Sequence, residues 1–371
     1  MRLKSRLSVP LFCLPQAFMS VPTFAVQTIT VGEEWAGQRL DNFLLRELRG
    51  APKTLVYRII RSGEVRVNKG RAKAETKLQA GDVLRIPPLR LSDPSPKTLA
   101  QNAIKKEAAQ AGFLREIPVI HEENGFLAIN KPAGLAVHGG SGVSLGVIET
   151  LRALRPDVPY LELVHRLDRE TSGILLIAKK RSALVALQAQ FKNRSTGKTY
   201  LALVKGAWPA KLKVLNQALR KFQVATGSAA EERRVEVVAA EHPDAMPALS
   251  LVKVLGSFDL PLGDHSQLPV SLLAVTIKTG RTHQIRVHLA SAGHPILGDD
   301  KYGDFALNKQ LAKGGDSAVL PRMFLHAWQL QVAQPPSGES LHLHCPLPPE
   351  LAACLPANLL AAVAQNGLQK S

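Results

Sequence analysis

The stretch His165-Arg166-Leu167-Asp168-Arg169-Glu170-Thr171-Ser172-Gly173 sets one carboxylate between two guanidiniums, with the apolar-rich run Leu161–Val164 ahead of it and Ile174–Ala178 behind. Both flanks have strand length and are rich in Ile, Leu and Val. Each therefore reads as a buried strand, and the polar residues between them as the tip that joins them. A loop held by two core strands is a rigid mount for a reactive group. Arg166 and Arg169 would keep Asp168 ionised at neutral pH, and an ionised carboxylate serves as nucleophile or base. An Asp-Arg pair in such a turn also serves as a cap or a salt bridge, so these residues alone leave catalysis open.

Working outward, strand candidates Val119–His121 and Phe126–Asn130 flank the turn Glu123-Asn124-Gly125. Further strands are expected at Tyr200–Val204, Arg234–Val238 and Leu272–Ile277. Helical spacing occurs at Val147–Leu154 and Ala183–Phe191. Strands and helices mix without regular alternation, which predicts an α+β fold and excludes a doubly wound sheet. Nearer the N-terminus, Gly37–Leu48 and Pro52–Ser62 form two short amphipathic helices, the second stopped by Gly63. Short strands follow at Val65–Val67 and Val83–Ile86. Between Arg49 and Lys77 stand nine basic residues (Arg49, Lys53, Arg58, Arg61, Arg66, Lys69, Arg71, Lys73, Lys77) against Glu64 and Glu75, a face suited to phosphate contacts. The polar, Ala/Lys-rich stretch 89–116 reads as a linker.

At 371 residues the chain has room for two domains, and 47 Lys and Arg against 30 Asp and Glu give a net charge of +17. That charge favours a polyanionic partner, nucleic acid before membrane. No later segment supplies the roughly 18 uninterrupted apolar residues of a spanning helix, so a cytoplasmic protein with no membrane contact is expected. Cys13, Cys345 and Cys354 form neither a disulfide framework nor a Cys-x-x-Cys site. His342-x-His344-Cys345 fits a strand with one polar face, and no metal is expected there. Arg2, Lys4 and Arg6 ahead of Leu11–Phe18 mimic a secretory signal, but Pro10 and Pro15 interrupt it.

The order His165-Arg-Leu-Asp168 followed by Glu170-Thr-Ser-Gly173 resembles the signature of the pseudouridine synthases that act on the ribosomal large subunit and related RNAs. The resemblance extends through Asn130-Lys131-Pro132, His138-Gly-Gly-Ser-Gly142, Arg152-Ala-Leu-Arg155-Pro156 and Ala178-Lys-Lys180. Gln38-Arg-Leu-Asp41, Val65-Arg-Val-Asn68-Lys69 and Gly81-Asp-Val83 resemble the S4 RNA-binding domain. The resemblance implies an S4-like module over 28–88 that contacts RNA through Arg58, Arg61, Arg66 and Lys69. It implies a pseudouridine synthase domain over 117–349, a mixed, largely antiparallel sheet crossed by a central cleft. Residues 1–27 are left as an N-terminal extension, with Met19 as an alternative start, and 350–371 as a C-terminal tail. The match thins over 207–267, where Gly256–Gln267 reads as an inserted loop.

For the site, the resemblance implies Asp168 as catalytic carboxylate, Arg286 as its ion-pair partner, and Tyr200 as acceptor of the proton lost from C5 of the base. Ile285 is expected to pack on Tyr200, while Arg166 and His165 contact substrate. Tyr200 stands at the entrance of a strand after Lys198-Thr199, and a neighbouring Arg would lower its pKa. Gly280–Leu289 places Ile285, Leu289 and Ala292 on one helical face with Arg286 beside them, closed by Gly293. Gly293–Asp299 with Tyr302-Gly303 reads as scaffold, and His138–Gly142 as a loop able to approach RNA. Turning uridine into pseudouridine breaks the N1 to C1′ bond and makes a C5 to C1′ bond without redox change. No cofactor is needed, only a carboxylate, a cation to hold it ionised, and a base. The attack of Asp168 on ribose, its attack at C6, and a glycal-like path remain open. The implied partner is 23S ribosomal RNA or a large-subunit assembly intermediate, bound by a monomer. The alternatives are another RNA target or a non-catalytic RNA-binding assembly factor.

Overall fold

The computed structural model describes residues 26–48, 51–89, 117–139, 146–224, 232–262, 266–313 and 319–368. The N-terminal extension and most of the expected linker lie outside them. The described residues fall into two compact units, 26–31 with 38–89 and 32–37 with 117–368.

In the smaller unit, helices α1 (Leu40–Glu47) and α2 (Lys53–Arg61) pack beside a four-stranded sheet. Its order is β1 (Gln27–Thr30), β4 (Val83–Ile86), β2 (Arg66–Val67), β3 (Gly70–Arg71). Both helices follow the predicted apolar spacing, burying Leu40, Phe43, Leu44, Val56, Ile59 and Ile60. Asn68 and Lys69 take φ of 50° and 66° in the turn between β2 and β3, and the Asn68 side chain holds the turn to Asp82 and Val83.

The larger unit is built on a ten-stranded sheet. Its strands are β5 (Val119–Glu122), β6 (Phe126–Lys131), β7 (Glu162–Leu163), β8 (Ser172–Ala178), β9 (Gly197–Lys205), β10 (Val214–Leu215), β13 (Ser250–Pro261), β14 (Gln267–Ile277), β15 (Leu325–Ala333) and β16 (Ser340–His344). The path runs β10-β13-β14-β9-β15-β8-β6-β5, with β7 on β8 and β16 on β15. Helices α3 (Val147–Leu154) and α4 (Arg181–Lys192) flank one half. β11 (Ala218–Val224) and β12 (Glu232–Val238) form a separate antiparallel ribbon. Among the described residues β8 and β15 make the parallel pair of the main sheet, joined through only His326↔Ser172 and Ala327↔Gly173. Beyond those two residues β15 continues with β9 and β16 while β8 continues with β6, and the sheet parts. Gly173 makes the junction possible. Its φ is +108°, and a Cβ there would lie 2.3 Å from the Ala327 carbonyl oxygen.

Three expectations change. The strand expected over Leu161–Val164 shrinks to β7, because His165 Nε2 accepts the Leu176 amide at 3.0 Å and ends the ladder where the chain turns into the loop. Gly256–Gln267 is not mainly loop, and residues 263–265 lie outside the described ones. Gly256–Pro261 belongs to β13, paired with β14 across a bulge after Val254, and Gly256 leaves room for the Leu359 side chain. Nor are the described residues from 350 to 368 a tail, since α7 (Pro349–Ala352), α8 (Ala357–Leu368) and the link between them carry Leu351, Leu355, Leu359 and Val363 into one core with Leu272, Phe324 and Trp328. Leu359 and Val363, four residues apart in α8, share one helical face.

Candidate active site

Asp168 sits in the loop that enters β8, beside the point where the sheet parts. Its backbone carbonyl accepts the Thr171 amide at 3.2 Å, and the loop is clamped from below by Lys131. That lysine is fully buried at the end of β6, and its Nζ donates to the carbonyls of Pro132 (2.7 Å), Leu135 (2.9 Å) and Arg169 (3.0 Å). Three acceptors match the three N–H bonds of an ammonium, while burial lowers its pKa to about 7 against the pull of Glu170 and Asp168. A second anchor runs through Ser172, whose hydroxyl lies 2.9 Å from His326 Nδ1 and accepts from Arg322 Nη2 at 3.0 Å. Lys131 and Ser172 stand in the motifs quoted from the sequence, but neither was given a role there. The loop is thus held from two sides before any substrate arrives.

The counter-charge comes from helix α5 (Gln284–Ser291), which follows β14. Arg286 is buried, with Nη1 at 3.9 Å from Asp168 Oδ2, as the pairing required. Its closer partner is Asp299, which receives Nε at 2.7 Å and Nη2 at 2.5 Å. Asp300 takes a third contact at 2.9 Å. Asp299 Oδ1 also accepts the amides of Lys301 and Tyr302, so the residue read as scaffold is the hinge on which Arg286 is set. Burial works against the guanidinium charge. The hydrogen bonds and charge of Asp299, with Asp168 and Asp300, outweigh it and keep Arg286 protonated beyond its usual range. One planar cation therefore bridges a structural carboxylate and the candidate reactive one.

Tyr200, in β9, stands on the same cleft and packs against the cluster that contains Ile285, as expected. Its electrostatics are the reverse of the expectation. Burial first, then the Asp168 carboxylate, raises the phenol above its ordinary pKa, and no guanidinium is among the groups that act on it. Asp168, Arg166, Tyr200, His283, Ile285 and Arg286 line a cleft of about 100 Å³. A second hollow of about 350 Å³ shares Arg166, Asp168, His283 and Arg286 and extends to His138 and Lys301. Asp168 thus faces two adjoining spaces, enough for a base and its flanking backbone.

The remaining site residues divide. Arg166 is exposed at the rim of both hollows, placed to meet RNA. Arg169 is tied to Glu170 at 2.6 Å and is not free for that task. His165 faces neither hollow. It stacks on Phe191 at 4.6 Å and, with burial lowering its pKa to about 3, serves as the neutral acceptor that ends β7, where the substrate contact expected of it has no opening to either hollow. Of the expected RNA-contacting loop, His138 lines the larger hollow and Gly140–Gly142 lie outside the described residues. In the smaller unit Arg58, Arg61 and Lys69 are exposed and Arg66 is half-buried, and none has an acidic partner among the described residues. In the larger unit, a carboxylate set against a buried cation and a phenol, with the exposed Arg166 at its rim, has the parts for cofactor-free chemistry on a nucleotide.

Known proteins are similar to this chain in sequence and in fold. Residues 125–291 match the family model for RNA pseudouridylate synthase, and residues 38–84 that for the S4 domain. The chain is 45% identical over 335 residues to the ribosomal large subunit pseudouridine synthase C of Pasteurella multocida (strain Pm70), spanning 90% of this chain and 94% of that one. Against the protein of the same name from Escherichia coli (strain K12) the identity is 44% over 337 residues, 91% of this chain and 98% of the other. Among solved structures, human RNA pseudouridylate synthase domain containing 1 is similar with a TM-score of 0.52 and 27% identity, over 68% of this chain and 96% of that one. Identity at this level across both units shows that the chain belongs to the family of RNA pseudouridylate synthases, with an S4 domain in its N-terminal part.

Proposed function

We propose that the protein isomerises specific uridines of 23S ribosomal RNA to pseudouridine, in the cytoplasm, with Asp168 as the catalytic carboxylate. The observation that carries this reading is the Asp168 carboxylate itself, anchored where the sheet parts and opposed by a buried Arg286 that cannot turn away. The names of its relatives and the basic face of the smaller unit support the ribosomal substrate. In the reaction the N1 to C1′ bond breaks, the base turns and its C5 bonds to C1′. The C5 proton then leaves and N1 takes one up, so the product is an isomer.

Tyr200 is the proposed acceptor of the C5 proton. In the free enzyme burial, and after it the Asp168 charge, raises its pKa. Any step that esterifies Asp168, at C1′ or at C6, removes that charge and shifts Tyr200 toward the range where it accepts a proton. Arg166 is proposed to hold the RNA at the rim while the target base leaves its stack.

The experiment is pseudouridine mapping of ribosomal RNA from a deletion strain carrying either the wild-type gene or Asp168→Asn, a nearly isosteric change. Wild type should restore the modification and the variant should not. Restoration by Asp168→Asn would remove Asp168 from the mechanism, and unaltered rRNA in the deletion strain would move the substrate elsewhere.

A further inference from the structure

His283 opens helix α5 in the left-handed conformation, with φ 52° and ψ 21°, a region disfavoured for a residue with a Cβ. Its ring reaches into the wall shared by both hollows. Nδ1 lies 2.8 Å from the Tyr302 hydroxyl, and that hydroxyl accepts the Val235 amide of the β11-β12 ribbon at 3.0 Å. The Val235 amide can only donate to the phenolic oxygen, and Nδ1 is the acceptor these contacts offer the hydroxyl hydrogen, which is therefore directed to Nδ1. A ring that accepts at Nδ1 carries its proton at Nε2. Nε2 is 4.0 Å from Asp168 Oδ2, the same oxygen that Arg286 Nη1 approaches to 3.9 Å.

We propose that His283 is a positioning residue for Asp168. Held in the Nε2–H tautomer by Tyr302, it directs a neutral donor alongside the Arg286 guanidinium at Oδ2 and leaves Oδ1 as the oxygen that meets the nucleotide. Burial, which lowers the pKa of the ring, together with the nearby Arg286, favours the neutral form over the pull of Asp168. The ribbon takes part through Val235, so an element remote in sequence sets the proton of a residue that faces the reactive carboxylate. The role rests on the reading of Asp168 given above.

Two measurements on the full chain test it. Nitrogen-15 spectra of the histidine rings at neutral pH, assigned by the signal missing in His283→Gln, should show His283 protonated at Nε2 in wild type and a mixture of tautomers in Tyr302→Phe. Turnover is read as tritium release from 23S rRNA transcript labelled at C5 of uridine. His283→Gly removes the donor and relieves the left-handed backbone, so its melting temperature should hold. Its kcat should fall roughly ten- to a hundredfold, with KM changing far less. His283→Gln, whose amide nitrogen stands near the place of Nε2, should recover part of that loss. A wild-type ring protonated at Nδ1, a His283→Gly enzyme with undiminished kcat, or a Gln variant no better than Gly would each overturn the proposal. Tritium release by Asp168→Asn would instead overturn the assignment of Asp168, with the tautomer result still standing.

Discussion

A guanidinium serves at position 286 where an ammonium would not. Arg286 spends Nε and Nη2 on Asp299 and presents Nη1 to Asp168, so its plane spans two carboxylates at once. Lysine keeps the charge but offers a single point, which must choose between them. Arg286→Lys is therefore expected to lower kcat by about a hundredfold, as loss of one preorganised donor does, while circular dichroism stays that of the wild type. Single-turnover kinetics on 23S rRNA check this, and activity within a few-fold of wild type would reduce Arg286 to a structural role. The pairing of Asp168 with Arg286 was legible in the sequence because each lies in a motif with its own signature. Asp299 was not. A Gly-Asp step thirteen residues beyond the arginine reads as a turn, and only the folded chain shows that this turn presents its carboxylate to a buried guanidinium. The pKa of Tyr200 was read with the wrong sign for a similar reason. Sequence reasoning put an arginine beside the phenol, whereas burial comes first and the charge that acts on it is the Asp168 carboxylate.

The elements meet at the junction of β8 and β15, two residues long and locked by one buried pair. His326 is fully buried, with Nε2 3.2 Å from the Cys345 carbonyl and Nδ1 2.9 Å from Ser172 Oγ. The carbonyl requires N–H at Nε2, so Nδ1 accepts from Ser172, whose oxygen in turn accepts from Arg322. Protonating Nδ1 would remove the acceptor of the Ser172 hydroxyl and bury a charge. Burial accordingly lowers the His326 pKa to about 4, from an ordinary value of 6.5. Below pH 6.5 the unfolded chain takes up a proton that the folded chain refuses, so stability falls as the pH drops from about 6.5 toward 4. The slope is about 1.4 kcal/mol per pH unit from this one residue. Urea unfolding across that range should show the loss, and His326→Gln, though less stable overall, should show a shallower slope. Equal slopes would mean that His326 titrates alike in both states. Local apolar spacing and apolar runs marked α3, α4, α5 and strands β5, β6, β8, β9, β12 and β14, since both are local properties, but β13 and β15 were not marked. They missed the junction, because a parallel pair of two residues leaves no local pattern, and they missed α7 and α8, whose apolar face has meaning only against the sheet.

For the molecule as a whole, 17 net positive charges on 371 residues need a partner that tolerates them, and their distribution says how they act. In the larger unit the critical cation is buried against carboxylates. In the smaller unit Arg58 and Arg61 extend from α2 into solvent without acidic partners among the described residues. The first arrangement orients a reacting group, and the second gathers phosphates without reading bases. Composition announced the charge but not this division, which depends on burial. The two roles separate experimentally through ionic strength. Arg58→Ala combined with Arg61→Ala should weaken binding to 23S rRNA and raise KM. The slope of log affinity against log salt should become shallower by roughly one for each arginine that contacts a phosphate. Arg286→Lys should leave that slope as in wild type, because a buried guanidinium releases no counterion when RNA arrives. Filter binding from low to moderate salt makes the comparison. If the double variant kept the wild-type slope, the basic face of α2 would have to be removed from the RNA interface, whatever the state of the active site.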